Sequence, residues 1–377
     1  MNVLATTRKV VRGLPYLVKE IRTQVSNHTP FFVAKPRVVH LMYNGPCNAR
    51  CIMCAFGYLK GDALKQYSLS PFKDERITGL LDQIHQLGGR GTLVNYSCGE
   101  PTLRPSLMNW LEQAKTLKLD FRFTTNGYTI DPDTARRLVA ADLFNVGVSI
   151  ESLDPSINET IRPYPNGTAK TITAIELLLE ERRRQRSRLS VNIKVTLTQV
   201  NIESILDIVK RWGKVDGVLV TPQMFEVTEA MPNETKDKLW IKDIGRIEAV
   251  VRELKTLKAS GYNINASDQA LDDCVALYRH DPEHKSTLHR RTVAIEARPP
   301  CFMGTDNLYI SNGTVTVCPF LPPIGSVLDN GTTLKELWYG NKAHQQRAQM
   351  RKCRIVCTLS CTRPTPFMEK VRIFLKM

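Results

Sequence analysis

The sequence predicts an α/β protein built on a parallel sheet. Two observations carry that prediction. Apolar, strand-like runs recur at 38–43, 92–97, 120–125, 145–150, 191–197 and 217–222, and helix-like stretches lie between them at 75–87, 106–117, 132–141, 169–183 and 202–212. Successive strands separated by a helix each time are joined by crossovers, and crossovers give parallel pairing. Six such units are too few to close an eight-stranded barrel, leaving an open partial barrel or a doubly wound sheet.

The bulk numbers agree with that class. At 377 residues there is room for one large domain and a smaller one. A chain that is 42% hydrophobic and 24% charged is a folded chain rather than a disordered one. No apolar run reaches the roughly 18 residues of a membrane span, and the N-terminus has no signal-peptide core. The expectation is a cytoplasmic chain, or one resting on a membrane from the cytoplasmic side. The net charge of +15 is spread over 8–22, "ERRRQRSR" (181–188), "HRR" (289–291) and the tail from Lys370. The 181–188 run ends a helix and has no interleaved aromatics, so a solvated face is favoured over a nucleic-acid surface.

After residue 225 the rhythm breaks. A long amphipathic helix is expected over 236–259, a second over 268–279 and an exposed linker over 280–291. "NLYISNGTVTVC" (307–318) predicts a hairpin turning at Asn312-Gly313, the dipeptide of a type I′ turn. Ahead of the first strand, Val10, Leu14, Leu17, Val18, Ile21 and Val25 share a helical stripe, with Arg8, Lys9, Arg12, Lys19 and Arg22 largely elsewhere. Packing of that stripe on its own domain is favoured over contact with an anionic membrane. The organisation expected is a basic amphipathic segment (1–36), the α/β unit (37–225), a helical linker region (226–299), a cysteine-bearing extension (300–365) and a basic tail (366–377).

The ten cysteines are clustered, which in a chain that is not exported favours metal sites over disulfides. "NGPCNARCIMCAFG" (44–57) holds Cys47, Cys51 and Cys54 in the loop after the first strand, at the sheet edge where α/β active sites form. Three thiolates can hold three irons of a [4Fe–4S] cube and leave the fourth open, whereas a cube used only for electron transfer takes four. A zinc site completed by a remote His is the bland reading.

This Cx3Cx2C loop resembles that of the radical S-adenosylmethionine (SAM) superfamily. Other motifs resemble the family in the same order. "SCGEPTL" (97–103) is similar to its GGEP loop, with Cys98 in place of the first Gly. "TTNG" (124–127) matches a recurrent motif at the third strand. "VSIESLDPSINETIRP" (148–163) resembles the stretch that supplies a ribose-contacting Ser and a carboxylate-binding Arg. The resemblance implies a partial (β/α)6 TIM-like barrel with an open-site [4Fe–4S] cluster on Cys47, Cys51 and Cys54. It also implies SAM contacts at Met53, Ser97, Cys98, Gly99, Glu100, Pro101, Asn126, Ser149, Arg162 and Gln223.

The second cysteine group follows the hairpin pattern. Its turn lets Cys301 approach Cys318, and "CRIVCTLSC" (353–361) adds Cys353, Cys357 and Cys361. This segment resembles the auxiliary-cluster extension of the SPASM/twitch subfamily. Five cysteines fit one auxiliary [4Fe–4S] cluster with one left over; Cys357 and Cys361 are favoured beside the hairpin pair, and a structural zinc is the runner-up. The function implied is reductive cleavage of SAM to a 5′-deoxyadenosyl radical that takes hydrogen from a small-molecule, sugar or lipid(-linked) substrate. Flavodoxin or ferredoxin is the expected electron donor. The 36 residues before the first strand are too few for a leader-recognition domain, which places a peptide-modifying maturase second. A zinc-stabilised binding protein is the rival from another class.

Overall fold

The computed structural model describes residues 18, 20–69, 74–97, 99–228, 230–280, 301, 303–328 and 331–354. Six strands follow one another along the chain and across the sheet: β1 (Val38–Met42), β2 (Leu93–Ser97), β3 (Asp120–Thr125), β4 (Asn145–Ser149), β5 (Ser190–Leu197) and β6 (Val218–Met224). Every neighbouring pair among them is parallel. The helices Asp74–Gly88, Leu107–Thr116, Pro132–Ala140, Gly167–Arg184 and Ser204–Trp212 make the crossovers. β1 and β6 do not meet, so the barrel is open, as expected.

Period-two alternation sorts each strand into two faces. Val39, Val94, Phe121, Phe123, Val146, Val148, Val191 and Ile193 are buried in the core with apolar residues of the crossover helices, such as Leu81, Ile84, Leu138 and Ile175. The alternate residues, among them His40, Asn95, Arg122, Asn192, Lys194 and Thr221, give the opposite face a polar character.

Three features depart from the sequence reading. The hairpin β7 (Asn307–Ser311) and β8 (Thr314–Thr316) does turn at Asn312-Gly313, both with positive φ (46° and 92°). It also joins the barrel sheet, because β7 pairs in parallel with β1 and Tyr309 lies opposite His40. The short β9 (Gly325–Ser326) completes the far edge. Second, the single helix expected over 236–259 is two, Asn233–Leu239 and Ile244–Ala259. Trp240 and Ile241 bury in the core between them, and Asp243 caps the second by accepting from Arg246 N at 3.1 Å.

Third, the N-terminal helix, described from residue 20 to 28 with Val18 ahead of it, packs by its polar side. Glu20, Thr23, Ser26 and Asn27 are buried, while Val18, Ile21 and Val25 are about half exposed. Polar partners explain the inversion. Glu20 pairs with Arg37 at 2.7 Å, Ser26 Oγ accepts from Ala34 N, and Asn27 bonds Thr305. Arg37 also pairs with Asp306 and so ties this helix to the segment that leads into β7. Among the described residues no helix is long and apolar enough to cross a membrane.

Candidate active site

The loops that leave β1, β2, β3 and β4 at their C-terminal ends interlock around the first cysteine group. Gly99 follows β2 with φ +58°, and a Cβ there would sit 2.7 Å from Pro46 O and 2.8 Å from Gly45 O. Only glycine fits that conformation and that approach together. Glu100 N then donates to Pro46 O at 2.8 Å, so the β2 loop lies directly on the backbone that precedes Cys47.

Glu100 is fully buried and accepts four hydrogen bonds. Thr102 N and Oγ1 reach Oε1 at 3.2 and 2.7 Å, Thr125 Oγ1 reaches it at 2.6 Å, and Asn126 N reaches Oε2 at 2.7 Å. Burial pushes this carboxyl above the ordinary range, and the four donors push back. Its role is to fasten the β2 and β3 loops to each other. Asn126 continues the chain of ties, with Nδ2 donating to Asn48 Oδ1 at 2.7 Å inside the cysteine loop. The sequence-predicted contacts Glu100 and Asn126 therefore spend these polar groups on loop geometry.

On the other side, Ile52 N donates to Ile161 O at 3.0 Å. Arg162 sits between Glu151 and Cys51, with Nε 2.8 Å from Glu151 Oε1 and Nη1 3.4 Å from Cys51 Sγ. Glu151 is buried and also accepts from Thr196 N at 2.6 Å. Burial opposes the Arg162 charge, but Cys51 and Glu151 outweigh it and hold the guanidinium firmly protonated. The strand-four motif thus brings Arg162 to a cysteine sulfur.

Cys47, Cys51 and Cys54 pack into one group with Ala49, Met53, Tyr128 and Tyr164. Burial pushes the Cys47 thiol up to about 12, and burial also raises Cys51. Surroundings that disfavour free thiolates hold them only beside positive charge, which Arg162 and bound iron would supply. The buried Tyr128 hydroxyl has no hydrogen-bond partner among the described residues. Three soft thiols, a cation and an orphan donor are the donor set of an iron–sulfur cluster, in which each thiolate takes its own iron; among the described residues no three Cys, His, Asp or Glu side chains, these cysteines included, converge on a single metal ion. Cys98 lies outside the described residues.

The remaining expected SAM contacts gather at the same edge. Ser97 ends β2, Pro101 opens the turn after it, Ser149 ends β4, and Gln223 stands next to last in β6, opposite Thr196. The second cysteine group lies only partly among the described residues. The β7–β8 register sets Cys318 near the level of Asn307, with the turn Met303–Thr305 intervening before Cys301. Cys301, Cys318 and Cys353 are partly buried. Cys357 and Cys361 lie outside the described residues. Sequence reasoning missed Glu151, Tyr128 and Asn48. The first had a legible signal, an acid among strand-end residues eleven positions ahead of an Arg.

Residues 44–211 match the family described as the Radical SAM superfamily. A curated relative, the mycofactocin maturase MftC of Mycobacterium tuberculosis, is 28% identical over 159 residues, which are 42% of this chain and 37% of MftC. The matched segment is therefore little more than a third of that relative's length. The AdoMet-dependent heme synthase of Methanosarcina barkeri is 22% identical over 80% of this chain and 82% of its own. Among solved structures, Streptococcus suis SuiB bound to the precursor peptide SuiA superposes with a TM-score of 0.59 at 13% identity, over 90% of this chain and 74% of SuiB. At that identity the likeness carries the fold alone.

These findings overturn one expectation. The sequence points to a small-molecule, sugar or lipid substrate, with membrane contact in support, but a maturase and a precursor-peptide complex stand among the relatives. The length of the segment before β1 places no limit on what enters the barrel. The cysteine loop, the glycine-tight β2 turn and the matched span place residues 44–211 with the radical SAM superfamily.

Proposed function

We propose that this chain is a peptide-modifying radical SAM maturase. Cys47, Cys51 and Cys54 would hold an open-site [4Fe–4S] cluster, and Cys301, Cys318 and two of Cys353, Cys357 and Cys361 an auxiliary one. The first cluster, when bound, supplies the electron that cleaves SAM to a 5′-deoxyadenosyl radical. The chain's own residues do the positioning. The β2 loop at Gly99 would offer backbone to the methionyl amine, Ser149 a hydroxyl to the ribose, and Gln223 and Met53 contacts to the adenine.

The observation that carries the peptide reading is the polar inner face of the barrel. Asn95 bonds His40 and Arg122 at 2.9 and 2.8 Å, and Thr221 bonds Asn192 and Asn265 at 2.6 and 2.9 Å. An inner wall of amides, hydroxyls and cations suits a substrate rich in peptide groups and would desolvate poorly against a lipid chain. The maturase relative and the peptide-bound relative support the same reading.

The test is an anaerobic reaction of reconstituted enzyme with SAM and dithionite. A cellular peptide fraction and a protein-free metabolite and lipid fraction are supplied separately and read by mass spectrometry. A mass-shifted peptide formed together with 5′-deoxyadenosine is expected. Turnover confined to the metabolite and lipid fraction would overturn the peptide assignment.

A further inference from the structure

We infer that Tyr128 and Arg162 are a pair of hydrogen-bond donors to the Cys51 side of the first cluster, and that they set its reduction potential. The inference rests on the cluster assignment of the preceding section and goes beyond it.

Four observations carry it. Arg162 Nη1 lies 3.4 Å from Cys51 Sγ, a normal N–H···S separation. Its Nε and Nη2 are both held by Glu151 Oε1, so the guanidinium cannot turn away without leaving a buried carboxylate alone. The Tyr128 ring shares the small buried group of Cys51 and Ala49, is stacked on Tyr164 at 4.1 Å between centroids, and Lys170 lies over the Tyr164 ring. Its hydroxyl is shut from solvent and without a partner among the described residues, an arrangement that is unfavourable unless a ligand accepts from it.

Gly167 explains how the hydroxyl fits. A Cβ at Gly167 would stand 3.1 Å from Tyr128 Oη, so the start of the helix Gly167–Arg184 leaves room for the ring. Tyr128 itself follows a turn fixed from both sides, with its N–H donating to Asn126 Oδ1 at 2.9 Å. Donors and positive charge near cluster sulfur stabilise the reduced, more negative state and raise the potential. A radical SAM cluster must still reduce SAM, so two donors on one thiolate would hold its potential at a set level. Tyr128 and Arg162 are in this sense positioning residues that act through the cluster.

The experiment is an EPR-monitored redox titration of anaerobically reconstituted full-length protein. The signal that shifts on SAM addition identifies the first cluster, and its midpoint is then followed without SAM. Tyr128→Phe keeps the ring and its stacking, and should make reduction about tenfold less favourable, a midpoint lower by ~59 mV for one electron. Arg162→Gln should lower it further. Because that change strands Glu151, the double variant Arg162→Gln/Glu151→Gln is measured beside it and should show the same direction. Variants with wild-type iron and sulfide but unchanged midpoints would overturn the inference, as would a shift seen only with SAM bound. A wild-type protein with no SAM-responsive signal would instead bring down the cluster assignment itself.

Discussion

Arg162 places its Nε 2.8 Å and its Nη2 2.6 Å from a single oxygen, Oε1 of Glu151, and the Glu151 side chain is wholly buried. The pair joins the end of β4 to the cysteine loop, since Nη1 of the same guanidinium reaches Cys51. Removing one partner of a buried pair leaves an uncompensated charge, at a cost of about 3–5 kcal/mol. Glu151→Ala should lose stability in that range by urea denaturation of the metal-free protein, whereas a loss under 1 kcal/mol would mean that solvent reaches the pair.

Cys47, Cys51 and Cys54 are expected to be the only protein ligands of the SAM-cleaving cluster. Replacing all three by Ala should abolish 5′-deoxyadenosine formation. About four irons and four sulfides per chain should remain on the C-terminal cysteines. Stoichiometric zinc without sulfide would make the extension a structural zinc site.

Gly99 should tolerate no side chain. Its positive φ alone costs a non-glycine residue roughly 1–2 kcal/mol, and the backbone of Gly45 and Pro46 cannot yield as a flexible side chain would. Gly99→Ala should lower the melting temperature and, by pushing the cysteine loop outward, reduce iron loading. A variant with wild-type melting and full iron would show that the loop has slack.

His40 gives the protein an acid-sensitive stability. Burial, with Arg122 and Lys194 nearby, lowers its pKa to about 4, and the bond to Asn307 Oδ1 only partly offsets this. The ring stacks on Tyr309 and also meets Asn95. A base kept neutral in the folded state favours folding fully above the unfolded value near 6.5. That contribution declines as pH falls toward 4, by an upper limit of about 3 kcal/mol. Unfolding followed from pH 7 to pH 4.5 should show the decline, and His40→Gln should flatten it. Equal slopes for the two proteins would assign the acid sensitivity elsewhere.

The parallel barrel was legible because buried strands and amphipathic helices each carry their own period, and the cysteine loop because metal ligation fixes spacing. Other features depend on partners far away in sequence. Tyr128 reads as a loop aromatic until Cys51 and Gly167 surround it. The N-terminal helix reads as an apolar stripe seeking a core, yet Arg37, Ala34 and Thr305 give its polar face the better partners. The break at Trp240 follows from a core that takes in the indole, which no helix period announces. The hairpin was visible as a hairpin, but its parallel seat on β1 is a long-range choice that local pattern does not encode.

That seat has a consequence for how the protein is made. β1 is bonded on one side to β7, and Arg37 and Asp306, 269 residues apart, meet just before the two strands begin. Asn44, three residues ahead of Cys47, donates its N–H to Asn312 Oδ1 in the hairpin turn at 3.0 Å. On the ribosome the cysteine loop therefore emerges long before the segment that props it. Strand β1 waits as an exposed edge through most of translation, open to mispairing and in need of protection. Cluster insertion into a finished loop would thus wait for the hairpin to emerge, and overproduction that outruns iron delivery should yield aggregates seeded at β1.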